Sequence, residues 1–134
     1  DYTNGGQVTY KWKNTDMVLS PNKVLGSQFT VKATKNLNIL LLTKFVARQY
    51  LDNTQTQSRS LDQYIVNDIA INYQPTIKGI KNLNLGLLVN NISNHIYSSN
   101  GYSYSGIVNF ARKDFSFVYP QAGINFMAKI ELLF

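Results

Sequence analysis

Apolar and polar residues alternate with a period of two along most of this chain. Over 37–51 the odd positions read Leu37, Ile39, Leu41, Thr43, Phe45 and Ala47. The even positions mix Leu40, Leu42 and Val46 with Asn38, Lys44 and Arg48. Successive side chains of a strand point to opposite faces, so this is a strand with one nearly pure apolar face. Residues 124–134 repeat the pattern: Ile124, Phe126, Ala128, Ile130, Leu132 and Phe134 alternate with Asn125, Met127, Lys129, Glu131 and Leu133. Three further segments, 24–34, 64–77 and 83–92, carry the same signature, and its phase is lost after Asn90, where a bulge or a strand end is expected.

The connections alternate in length. Lys35-Asn36 and the run from Lys78 to Asn82 are tight turns, whereas 52–63 and 98–119 read as long loops. Lys-Asn-Leu-Asn occurs at 35–38 and again at 81–84, each time opening a strand, which is the repeat of an up-and-down meander. Strands of this length exceed the five or six residues usual in globular sheets. They suit a tilted membrane-spanning strand, which needs about 9–11 residues, and outer-membrane barrels have short turns on one side and long loops on the other. Tyr50, Tyr64, Tyr73, Tyr97, Tyr119 and Phe134 lie near strand ends, where interfacial aromatics are expected. A soluble β-sandwich or a small lipocalin-like barrel shares the apolar inner face and is the alternative.

Composition narrows the choice. Only 15% of residues are charged, against about 25% in a typical soluble domain. Polarity comes instead from 16 Asn, 9 Thr and 9 Tyr, which favour strands and turns over helices. There is no cysteine, so disulfides, thiol catalysis and Cys-based zinc sites are excluded. The formal charge of +6 is spread among turns, strands and loops, which argues against nucleic acid as a partner. No apolar run approaches the roughly 20 residues of a membrane helix. The chain opens on Asp1 without a signal-peptide pattern, and it is expected to be a processed product or a fragment.

Five ordered motifs carry a resemblance. They are Asp16 to Asn22 (DMVLSPN), Lys44 to Thr54 (KFVARQYLDNT), Arg59 to Asp68 (RSLDQYIVND), Val89 to Tyr97 (VNNISNHIY) and Tyr119 to Phe134 (YPQAGINFMAKIELLF). Together they resemble the C-terminal part of TonB-dependent outer-membrane receptors of the Bacteroidetes type. Ala47, Ile92-Ser93 and Ile124 stand where the family pattern has Gly, Leu-Phe and Arg. The resemblance implies the last five strands of a larger, 22-stranded antiparallel up-and-down transmembrane β-barrel in a Gram-negative outer membrane. Residues 1–23 are then mostly extracellular loop and 24–134 the five strands. It also implies import of a siderophore, cofactor, glycan or peptide, with energy reaching the receptor from the TonB system through a plug that lies elsewhere. The alternative is a stand-alone small β-barrel binding an apolar ligand.

Candidate sites follow from this. Phe126, Ile130, Leu132 and Phe134 match the β-signal read by the barrel assembly machinery, which works by strand addition. Tyr102, Tyr104, Phe110, Arg112, Lys113, Phe115, Phe117 and Tyr119 interleave aromatics with cations, a set suited to an aromatic or anionic ligand or to packing against a surface lipoprotein. Lys44, Arg48 and Asp68 are expected to face the lumen and its plug. His95 is the only histidine, and Asp52 with Asp62 supplies too few oxygens for calcium, so no metal and no cofactor is expected. No catalytic constellation is legible, and an enzyme is not expected.

Overall fold

A computed structural model describes residues 9–133. Within them the protein is all-β and antiparallel. Five strands form one sheet: β1 (Val24–Thr34), β2 (Leu37–Val46), β5 (Tyr64–Tyr73), β6 (Asn82–Asn90) and β9 (Asn125–Leu133). They lie in the order β1-β2-β5-β6-β9, each antiparallel to its neighbour, so the sheet is a meander. It does not close: β1 and β9 are its two edges.

The register sorts the side chains by face. Rows such as Val31–Ile39–Ile71–Leu87–Ala128 and Phe29–Leu41–Ile69–Val89–Phe126 run across all five strands. One polar row, Ser27–Thr43–Asn67, crosses this face near its loop end, where Thr43 Oγ1 donates to Asn67 Oδ1 at 2.7 Å. The opposite face holds Lys32, Lys44, Asp68, Lys129 and Glu131 among Asn, Leu and Ala side chains. Neither face is covered. Phe126 and Ile130 are 78% and 77% exposed, and every residue of β1 and β9 is exposed.

A small core sits at the sheet's loop end, on the last residues of β2 and the first of β5. Val46, Tyr64 and Val66 pack there on the mixed face with Tyr97, whose ring stacks on Tyr64 at 4.3 Å. Tyr64 is a core residue and the half-buried Tyr97 packs against it; of the tyrosines near strand ends, Tyr73 alone stands on the apolar face.

β1 spans 24–34 and β6 ends at Asn90, both as expected, whereas β2 and β5 are shorter than the alternation suggests. β2 ends at Val46, although the Ala47 N–H still donates to the Lys23 carbonyl at 3.0 Å, one residue past the Val24–Val46 pair and in the same register. A two-residue ladder then resumes between β3 (Gln49–Tyr50) and β4 (Ser60–Leu61). β6 stops at Asn90 because Asn91 and Asn94 adopt positive φ, which asparagine tolerates better than most residues. Asn91 is buried, accepts from the His95 N–H, and donates to the His95 and Ala122 carbonyls. β5 ends at Tyr73, not 77, and β9 begins at Asn125, one residue into the 124–134 alternation.

The largest departure is the segment read as a loop over 98–119. It is a long hairpin, β7 (Ser98–Val108) paired with β8 (Ala111–Pro120) as a separate two-stranded sheet. Asn109 and Phe110 form its turn, both with positive φ, as a type I′ turn requires.

Candidate functional site

The β7–β8 hairpin is two-faced. Its register puts Tyr102 opposite Phe117, Tyr104 opposite Phe115 and Asn100 opposite Tyr119, all on one side. Ring centroids lie 5.3 Å apart for Tyr102–Phe117, 5.1 Å for Tyr104–Phe115 and 6.4 Å for Tyr102–Tyr104, with planes within 25° of parallel. Five rings thus form a continuous strip, and Tyr104 is 50% exposed. Lys113 faces the same side at the strip's end, opposite Gly106, and has no ion-pair partner among the described residues.

The other side carries Gly101, Ser103 and Ser105 of β7 with Asp114 and Ser116 of β8 at its middle, flanked by Val118 at one end and by Ile107 and Arg112 at the other. It docks on the 49–61 segment through Arg59. This guanidinium is 5% exposed, forms ion pairs with Asp52 and Asp114, and donates to Ser105 Oγ at 2.7 Å. Ser103 Oγ donates to Asp52 Oδ2 at 3.2 Å, and Ser105 Oγ donates to Asp114 Oδ1 at 2.7 Å. Gly101 permits the approach. A Cβ there would meet the Phe117 carbonyl oxygen at 2.6 Å and the Leu61 side chain at 3.2 Å.

The clasp shapes its own electrostatics. Burial pushes the Asp52 carboxyl up, but hydrogen bonds from Thr54 and Arg59 outweigh it and hold the group below the usual carboxylate range. The Ser105 hydroxyl lowers Asp114, and with the Arg59 and Arg112 charges it outweighs the opposing effect of burial. The hydrogen bond to Asp52 raises Arg59 further above its already high value. No nucleophile faces a general base here, and among the described residues no three His, Cys, Asp or Glu side chains group as metal ligands. The arrangement holds one side of the hairpin against the 49–61 segment and leaves the ring strip on the other.

The aromatics singled out in the sequence are brought together, apart from Phe110, which projects from the turn at 102% exposure. Arg112 faces the polar side instead, 3.5 Å from Asp114. Lys44 and Asp68 share the mixed sheet face, where Asp68 Oδ1 accepts the Asn91 N–H at 2.7 Å. Arg48 lies beyond the end of β2 and pairs with Asp62 at 2.9 Å. Phe126, Ile130 and Leu132 line the apolar face of β9; Phe134 lies outside the described residues. Arg59 and Asp114 were not singled out by sequence, and their partners stand far along the chain, 46 residues away for Arg59 and Ser105. No family model, curated protein or solved structure matches this chain.

Proposed function

We propose that this chain is the C-terminal barrel portion of a TonB-dependent outer-membrane receptor, contributing strands, extracellular loops and the assembly signal to a larger importing barrel. One observation carries the reading: a five-strand meander whose apolar face is uncovered and whose other face carries isolated charges. In water such a sheet buries its apolar face against another layer. In a barrel wall that face meets lipid and the mixed face meets a wet or plugged lumen. The ten residues of β2 rise about 33 Å, and a tilt of about 40° reduces that to about 25 Å, the height of a barrel's apolar band. Open edges at β1 and β9 support pairing with further strands, since unpaired backbone is not tolerated in hydrocarbon. They weigh against the stand-alone small barrel, which needs closure.

In this reading the outer-membrane lipid, the rest of the barrel and its plug, and the TonB system acting through that plug are the partners. The barrel assembly machinery engages β9, and a surface lipoprotein is a candidate lid over the hairpin. The imported ligand is a siderophore, cofactor, glycan or peptide. Outer-membrane fractionation with heat-modifiable migration in detergent tests this. A band that shifts on boiling is expected; a water-soluble monomer with no shift overturns the reading.

A further inference from the structure

We infer that the aromatic side of the β7–β8 hairpin is a binding strip for an acidic oligosaccharide, with sugar rings against Tyr102, Tyr104, Phe115, Phe117 and Tyr119 and an acidic group at Lys113. The inference deepens the receptor reading and rests on it for placing the hairpin outside the bilayer. The strip's length selects an oligomer. From Tyr119 to Lys113 it runs six residue steps along one strand, about 20 Å, which is longer than a single ring. Its surface suits sugars: the rings offer apolar contact to C–H groups, and the phenols of Tyr102, Tyr104 and Tyr119 offer hydrogen bonds to hydroxyls.

Charge decides between the two ring-bearing polymers. Single-stranded nucleic acid stacks on such strips too, but it needs cations tracking its phosphates. Here Lys113 is the only charged side chain on the ladder side, and it sits at one end. Arg112 and Arg59 are held by Asp114 and Asp52 on the other side. One free cation beside three rungs of rings matches a sparsely charged glycan. Gly106, opposite Lys113, leaves the ammonium approachable, since the nearest atom to a Cβ there is a Phe115 ring carbon at 3.8 Å.

The test uses the intact receptor in detergent, titrated with oligogalacturonate, alginate, hyaluronan and chondroitin sulfate oligosaccharides, a neutral gluco-oligosaccharide and oligo(dT). At least one acidic oligosaccharide is expected to bind. Tyr102→Leu and Phe117→Leu each weaken that binding about tenfold. Lys113→Ala weakens it about fivefold and leaves neutral sugar binding unchanged. Amide exchange of β7 checks that the leucine variants keep the hairpin. Failure of every acidic sugar, indifference to the ladder variants, or tighter oligo(dT) binding overturns the inference. Ladder-dependent sugar binding by a protein that fails outer-membrane fractionation keeps the inference and removes the receptor reading.

Discussion

Arg59 concentrates more constraint than any other residue described. Its guanidinium is buried, and its two carboxylate partners come from separate segments, Asp52 from the loop and Asp114 from β8. Charge-assisted hydrogen bonds contribute about 1.5–3 kcal/mol each, and truncating one partner leaves the others unpaired. Arg59→Ala is therefore expected to release the hairpin by about 2 kcal/mol, read as lost amide-exchange protection at Ser103 and Ser105 while β2 and β5 keep theirs. The sign with pH follows from Asp52 and Asp114. Both folded-state values lie below the ordinary one, so the clasp's stabilisation is complete above about pH 4 and is lost as pH falls through the lowered values. Hairpin protection should be flat from neutral pH to about 5 and fall below about 4. Arg59→Ala should abolish that fall; an identical acid transition in the variant would remove the clasp as its cause. Gly101→Ala probes the same interface sterically. Its Cβ meets backbone, which cannot turn aside, so overpacking of about 1–3 kcal/mol is expected by the same readout.

Among elements, the strands of the sheet were legible because each needs one apolar side, and a period of two is visible over ten residues. Their ends were legible only in part: the lost phase after Asn90 marks the end of β6, where Asn91 is fixed by His95 and Ala122, whereas the alternation runs on past the ends of β2 and β5. The hairpin was concealed by its own chemistry. Its polar side is serine, which reads as loop, and its turn is Asn-Phe where Asn-Gly is the usual signal. The clasp joins residues too far apart for any local pattern to show. In the proposed receptor the odd-numbered face of β2 is the one that meets lipid, and that orientation is separable by experiment. Leu41 stands in the apolar row and Gln28 on the mixed face of the neighbouring strand. Leu41→Arg should cost about 2–4 kcal/mol in the intact receptor unfolded from phospholipid vesicles by urea, and Gln28→Arg less than about 0.5. Equal costs, or the reverse order, would rule out this orientation of the sheet.

For the whole molecule the decisive feature is the pair of edges. β1 and β9 each present a row of backbone donors and acceptors with no partner among the described residues. Such groups cost several kcal/mol each in hydrocarbon, so strands of eleven and nine residues cannot stay unpaired in a bilayer. Two outcomes satisfy them: β1 pairs with β9, giving a small closed barrel, or each pairs with strands beyond these five. The distinction is accessible because these 134 residues contain no cysteine, so thiols introduced on β1 and β9 have no competitor within them. Cysteine pairs placed on β1, at Gln28 or Thr30, and on β9, at Met127 or Lys129, test direct pairing, since bridged Cα atoms must lie within about 7 Å. No β1–β9 disulfide is expected under oxidation in the outer membrane. Thiols on β9 should instead join cysteines in strands outside residues 24–133. An efficient β1–β9 bridge would make the sheet its own barrel and exclude the larger receptor wall.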